Sequence, residues 1–333
     1  MEWQDYHLRK SRLSDFWKQA NLIALESSLP KDSFLPYICG SFGDIYGVLL
    51  LLDSFVEVHD QDTFALIDKN FFRLAERFSR PGLSFGFLEP DLRLRRLLGI
   101  HRGSYMLRPG EIYPTLTTLH PLVAEAILTR RLSIVEAWRL ILDLPKAAPL
   151  KINQPTPSQI AELALIKAYL QSFKRPTVCL FPGNQSNSGI PCELFRLLVG
   201  AIRAHGWEPV LNMTGTNGLE EYNDLSLATL NVSPHLLVET CEIFDAVVTT
   251  ASGVSAVLGM LPNKARVVVI RASSNITKVS YRSYGYILKD VGEELGEDFI
   301  KTNDIRDLVW PSERENWKTF IQNLLSSLTG KCD

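Results

Sequence analysis

The run FLPYICGSFGDIYGVLLLLDSF, residues 34–55, decides how the chain is read. An apolar stretch breaks at GSFGD and resumes as an apolar helix, the pattern of strand, glycine turn and helix. Gly40 and Gly43 allow a sharp backbone turn and leave the first amides of the next helix without intrahelical partners. Such amides favour an anionic group nearby. Asp44 stands at that opening, where a carboxylate either caps the helix or acts as a base on a bound substrate, and local sequence alone favours the cap. The spacing is not a dinucleotide fingerprint, because GxGxxG is absent, and residues 40–47 lack the Lys-Ser/Thr ending of a phosphate-binding P-loop.

The chain of 333 residues, 46% hydrophobic and 22% charged, is long enough to bury a large core and to divide into about two domains. A net charge of −2 leaves no generally basic footprint for nucleic acid. Cys39, Cys179, Cys192, Cys241 and Cys332 form no CxxC pair and join no His cluster, so neither a zinc site nor a disulfide framework is expected. The N-terminal stretch has no signal-peptide core, and the longest apolar run is too short to span a bilayer. The expected location is therefore the cytoplasm, with peripheral contact at the inner face of a membrane left open. Residues 12–28 carry apolar side chains at helical spacing and read as an amphipathic helix ahead of the first strand, in the role of core cover.

After the opening strand and helix, residues 64–70 and 83–89 read as strands with a helix, FFRLAERF, between them. This alternation implies a parallel sheet. Arg77, Arg80, Arg93, Arg95, Arg96, Arg102 and Arg108, with His101, face only Glu89 and Asp91 in this region. The excess can attract an anionic ligand, although a solvated face with internal pairing is the commoner role of such a run. His120 stands before the next helical pattern, either toward a ligand or in a structural role, and a lone His is more often structural. Ser133-x-x-Glu136 is a capping box for the helix that closes this half. The boundary is PKAAPLKINQPTP, residues 145–157, where prolines interrupt the periodic pattern. Thr156 with Gln159, and Pro157 at the first helical position, opens the second half.

That half restarts the alternation: TVCLFPG is a strand, NQSNSGIP a polar loop, and CELFRLLVGAIRAHG a helix stopped by Gly206. Strands follow at EPVLNMTG, DAVVTTASG and ARVVVIR. Two strand ends, at Pro182-Gly183-Asn184 and at Ser252-Gly253, deliver small hydrogen-bonding groups toward one edge of the sheet. Ligands of open parallel sheets sit at that carboxyl edge, and helix-opening amides suit a phosphate. Each turn alone is equally compatible with an ordinary solvated connection. Thr214 ends another strand, within reach of a base or ribose or again as plain loop. A Ser312-x-x-Glu315 capping box opens a terminal helix whose apolar Trp317, Phe320, Ile321, Leu324 and Leu325 must dock somewhere.

Taken together, these pieces resemble a GT-B glycosyltransferase, in particular the lipopolysaccharide heptosyltransferases of glycosyltransferase family 9. SFGDIYGVLLLLDSF looks like that family's N-terminal strand-turn-helix, and FPGNQSNSGIPCELFRLLVGAIRAHGWEPVLN looks like the start of its donor domain. SPHLLVETCEIFDAVVTTASGVSAVLGML looks like the later diphosphate-binding turn. The resemblance implies an α/β fold with two Rossmann-like parallel-sheet domains facing across a cleft. Residues 1–150 would take the acceptor and residues 151–310 the donor, with the helix in residues 311–333 packing back on the first domain.

It also implies an inverting, metal-independent transfer from a nucleotide-diphosphate sugar to an acceptor hydroxyl, in cell-surface glycan or lipopolysaccharide assembly. Asp44 matches the general base, with Ser41, Gly43, His120 and Arg102 on the acceptor side. Gly183, Asn184, Gln185, Ser186, Thr214, Ser252, Gly253 and Ser255 would hold the donor; no metal, no cofactor and no nucleic acid is implied, and the acceptor is a glycan or other alcohol, anionic if the arginine run serves it. Three positions depart from the family pattern, the first being Ala251, which stands in place of an Asp ahead of Ser252-Gly253. The loop after Pro182-Gly183 has no basic residue before Arg196, and Ala256 stands in the approximate place of a His. Arg271, Lys278 or Arg282 would have to supply the cation. The alternatives are a nucleotide-sugar epimerase of the same fold, which needs no acceptor, and a catalytically inactive nucleotide- or partner-binding protein.

Overall fold

The computed structural model describes residues 35–38, 42–88, 104–108, 111–115, 134–182, 190–214, 222, 224–250, 252–261, 264–272 and 305–329. The chain separates into two compact units, Met1–Gln154 and Pro155–Asp333, within a few residues of the expected boundary.

The first unit is built on α1, Phe42–His59, which follows β1, Leu35–Ile38. Its residues from Gly43 to Phe55 are all buried. A helix apolar on every side belongs inside a domain, and LLLLDSF has no polar stripe to turn toward water. The chain continues through β2 (Thr63–Asp68), α2 (Phe72–Glu76) and β3 (Leu83–Leu88). Strands β1, β2 and β3 are parallel, as the alternation implies. The sheet is nevertheless not wholly parallel: β4 (Ser104–Arg108) and β5 (Glu111–Thr115) add an antiparallel hairpin, giving the order β3-β2-β1-β4-β5. The hairpin lies where the sequence shows clustered arginines and a proline at position 114, features that mask a strand pattern. Helix α3, Ile134–Ile141, closes the unit and packs on α1.

The proline-rich boundary is not a free linker. The Lys151 amide donates to Leu50 O at 2.9 Å and the Asn153 amide to Arg77 O at 3.1 Å. Ser54 Oγ donates to Pro149 O at 2.8 Å, and Arg139 Nη2 to Ala148 O at 2.6 Å. Arg77, fully buried, donates from Nε and Nη2 to Asn153 O at 3.0 and 2.6 Å. Prolines supply no amide, so the strap is held through the residues between them. The next helix, α4 (Pro157–Gln171), opens on the expected capping box: the Thr156 amide donates to Gln159 Oε1 at 2.9 Å and the Gln159 amide to Thr156 Oγ1 at 3.4 Å.

The second unit follows a simple rule: every strand is parallel. Strands β6 (Thr177–Phe181), β7 (Glu208–Asn212), β8 (Ala228–Leu230), β9 (Ala246–Thr250), β10 (Val267–Ala272) and β11 (Ile305–Trp310) form one sheet in the order β11-β10-β9-β6-β7-β8. Helix α5, Cys192–Ala204, follows β6 and ends at Gly206, whose φ of 85° is the left-handed conformation that glycine adopts most easily. The Trp207 amide donates to Ile202 O and the Gly206 amide to Arg203 O, a Schellman closure. Helices α6 (Leu237–Cys241) and α7 (Gly253–Met260) flank β9 in sequence.

The terminal helix α8, Trp317–Thr329, buries Trp317, Phe320, Leu324 and Leu328 in the second unit's core with Leu198, Val268 and Ile270. Its apolar face is covered by α5, β10 and β11 of its own unit. The Ser312–Glu315 capping box does not form. A 3-10 turn, Arg314–Asn316, intervenes, and Ser312 Oγ donates to Glu313 Oε1 at 2.5 Å.

Candidate functional site

In the first unit the site residue is Asp44. Helix α1 begins at Phe42, so Asp44 stands at the third position of its first turn, one turn inside the N-cap. The carboxyl group is buried, with only 4% of the residue exposed, beyond the carboxyl end of β1. The positive end of the helix dipole favours an anion there. Strand β1 is the point where the sheet order reverses, with β2 on one side and β4 on the other. Open α/β sheets bind ligands beside such a strand end.

The turn is braced by aromatic side chains that sequence reasoning missed. Phe42 and Tyr46 meet edge to face at 5.6 Å between centroids, and Tyr46 meets Phe78 in the same way at 5.8 Å. The i, i+4 spacing of Phe42 and Tyr46 was the signal for half of this brace. Gly43 is buried beside Asp44. Ser41, Arg102 and His120 lie outside the described residues, as do Arg93, Arg95, Arg96 and His101.

Arg77 and Arg80 have structural uses. Arg77 holds the Asn153 carbonyl, and Arg80 pairs with Asp53 and, at 3.2 Å, with Glu57. Lys151 Nζ completes this cluster, 3.0 Å from Asp53 and 2.5 Å from Glu57. Hydrogen bonds from Lys151 first and Arg80 second hold the Glu57 carboxyl below its ordinary range, and the Glu57 bond raises Lys151. Of these two arginines Arg80 is internally paired, and Arg77 is buried on a backbone carbonyl.

In the second unit the sheet order reverses between β6 and β9, where Phe181 is in register with Thr249. This is the order of a doubly wound nucleotide-binding sheet, and its ligand position is the crevice beyond the ends of those two strands. Pro182 is buried at the end of β6; Gly183, Asn184, Gln185 and Ser186 lie outside the described residues. At the end of β9, Ser252 is the extended residue ahead of α7, at φ −150° and ψ −179°, and the α7 amides begin at Gly253. Thr249 Oγ1 and Ser252 Oγ stand 3.5 Å apart.

Ser255 is buried; Ser255 Oγ donates to Ser252 O at 2.8 Å and accepts the Ser252 amide at 2.9 Å. Its hydroxyl closes the turn that opens α7. Ala256, where the family pattern has a His, is buried too. Thr214 follows β7, half-buried, and its amide donates to Asn212 Oδ1 at 3.2 Å. Asn212 is a further residue that strand-pattern reasoning passed over. Arg271 is the last residue but one of β10, while Lys278 and Arg282 lie outside the described residues.

The buried thiols do not contribute. Burial pushes Cys179 and Cys241 well above the ordinary thiol range, which suppresses the nucleophilic thiolate. Among the described residues no group of three His, Cys, Asp or Glu side chains could hold a metal ion, and no helix is long and apolar enough to cross a membrane.

No family model matches the chain, and no curated protein matches it. Solved structures do. The ADP-heptose lipopolysaccharide heptosyltransferase II of E. coli aligns over 89% of this chain and 98% of its own, at 12% identity and a TM-score of 0.52. A glycosyl transferase of family 9 from Veillonella parvula aligns over 89% and 96%, at 11% identity and a TM-score of 0.53. The chain thus has the GT-B glycosyltransferase fold that the sequence resemblance implies.

Proposed function

We propose that the protein is a glycosyltransferase that moves a sugar from a nucleotide-diphosphate sugar to an acceptor hydroxyl, with inversion and without an obligatory metal. The observation that carries this reading is the all-parallel second sheet, whose order reverses between β6 and β9 and places Ser252 and the opening amides of α7 beyond that crevice. Such amides suit a diphosphate. The likeness in fold to a heptosyltransferase described by its ADP-heptose donor supports an adenine nucleotide sugar as the first donor to try.

In this reading Asp44 takes the proton of the acceptor hydroxyl as that oxygen attacks the anomeric carbon. The new carbon–oxygen bond forms on the face opposite the leaving nucleoside diphosphate, and the electron pair of the broken bond leaves on the terminal phosphate oxygen. Helix-opening amides at Gly253 and Val254 stabilise that developing charge without a metal ion. The acceptor is a glycan or another alcohol. An anionic acceptor would have to be held by arginines other than Arg77 and Arg80, which serve the fold. Cell-surface glycan or lipopolysaccharide assembly, at the cytoplasmic face of the membrane, is the setting this chemistry fits.

A thermal-shift panel of nucleotide sugars, followed by a transfer assay with Asp44→Asn, tests the reading. A ligand that binds only the folded protein raises Tm. Asp44→Asn is expected to keep that shift and to lose about 100-fold or more in transfer, the usual worth of a positioned general base; full transfer by the variant would refute the assignment. One observation favours a second reading, a nucleotide-binding protein without turnover: buried Ala256 in the position of the family's His. It predicts the thermal shift with neither transfer nor hydrolysis in the wild-type protein.

A further inference from the structure

We propose that Asn212 is a positioning residue that fixes the turn after β7 and, through it, the nucleoside side of the donor site. The inference rests on the nucleotide-sugar reading and narrows it.

Asn212 is the last residue of β7 and only 3% exposed. Burying a carboxamide is costly unless its polar atoms are bonded, and here both ends are. Oδ1 accepts the amides of Thr214 at 3.2 Å and Val232 at 3.0 Å. Nδ2 donates to Thr214 O at 3.3 Å. The neighbouring Met213 amide donates to Leu230 O at 2.9 Å. A single side chain therefore closes the turn that leaves β7 and clips to it the segment that leaves β8.

The location gives this clip its meaning. Strand β7 pairs with β6, so its carboxyl end is one strand away from the reversal between β6 and β9. With the diphosphate at the opening of α7 beyond β9, the end of β7 lies two strands away across β6, about 10 Å, on the side left for the nucleoside. The turn held by Asn212 offers a hydroxyl at half-buried Thr214 and a thioether at Met213, 36% exposed. A hydroxyl can bond ribose oxygens, and a polarisable apolar chain suits the face of a base. Neither side chain is charged, which fits a nucleoside and not an additional phosphate.

The experiment measures the dissociation constants of ADP, GDP, UDP and CDP by calorimetry for the full-length wild type and for Asn212→Ala, Met213→Ala and Thr214→Ala, below the melting temperature of each. For Asn212→Ala the tightest wild-type ligand is expected to weaken by about tenfold or more, the equivalent of 1.4 kcal/mol, with the ranking among the four bases compressed. Met213→Ala and Thr214→Ala change surface side chains and are expected to compress the same ranking to a lesser degree, so the test stands even if Asn212→Ala does not fold. Unchanged affinities, or one common factor for all four nucleotides, would overturn the positioning role however far Tm falls. A wild-type protein that binds none of the four would instead overturn the nucleotide reading, and this inference with it.

Discussion

Replacing Arg77 probes the strap that joins the two halves of the chain. Two N–H groups of its buried guanidinium converge on the Asn153 carbonyl at 3.0 and 2.6 Å. A hydrogen bond to a charged group contributes about 1.5–3 kcal/mol, and because both bonds share one acceptor the pair is taken at that single range. Alanine keeps Cβ, so full truncation also removes two buried methylenes at about 0.8 kcal/mol each, or roughly 1.6 kcal/mol. Arg77→Met keeps most of the stem and is expected to cost about 2 kcal/mol; Arg77→Ala loses both contributions and costs about 4 kcal/mol.

Because the two units can melt separately, the local readout is decisive. Hydrogen exchange of the Lys151 and Asn153 amides, which donate to Leu50 O and Arg77 O, reports opening of the strap itself. A 2 kcal/mol loss corresponds to about thirtyfold faster exchange at both amides, with second-unit amides unaffected. If Arg77→Met exchanges there at the wild-type rate and melts within about 0.5 kcal/mol of wild type, the buried arginine does not hold the strap and the reasoning fails.

Three further outcomes are expected. Asp44→Asn keeps the nucleotide-induced thermal shift and loses about 100-fold or more in transfer, measured by product formation at saturating donor. Leu324→Ala, at a fully buried position on α8, costs the second unit about 2–5 kcal/mol in urea unfolding while first-unit amides keep their protection. For Glu57, a carboxyl held below its ordinary 4.5 contributes stability above that value and loses it as pH falls through the lowered value. Lys151, raised above 10.5, contributes below that value and loses it as pH rises further. The stability difference between wild type and Glu57→Gln is therefore flat from about pH 5 to 10, falls away as pH drops through the lowered Glu57 value, falls in part above 10.5 where Arg80 still pairs with Glu57, and shrinks in high salt because the pair is largely exposed.

The parts of the fold legible in the sequence are those in which local pattern and tertiary context agree. TVCLF and AVVTT are continuous apolar runs, so they read as strands buried on both faces, and they lie side by side at the centre of the second sheet. Gly206 reads as a helix stop because the Schellman turn it closes is local. The β4–β5 hairpin was not legible: SYMLR and EIYPT are short, and their arginine, glutamate and proline are poor strand formers whose pairing with β1 is a long-range event. Ser312 and Glu315 show the opposite error, in which a valid local signal gives way to a 3-10 turn that puts Trp317 into the core, with Trp317 Nε1 donating to Pro311 O at 3.1 Å.

The two buried carboxylates of α1 show how much of a site residue composition can reveal. Asp44 and Asp53 are both buried acids in one apolar helix, and the sequence treats them alike. The structure separates them. Asp53 faces Arg80 and Lys151, and the charges that attend it also tie down the strap, which accounts for its burial by architecture alone. Asp44 stands in the opening turn, at the strand end where the sheet order reverses, with Phe42, Tyr46 and Phe78 bracing the turn. An edge-to-face aromatic brace restricts the rotation of the turn that carries Asp44, as a positioned base requires. The comparison that isolates this is Tyr46→Leu: if Asp44 depends on the brace, transfer falls with donor affinity unchanged, whereas a purely structural Tyr46 lowers Tm and leaves turnover per folded molecule as it was.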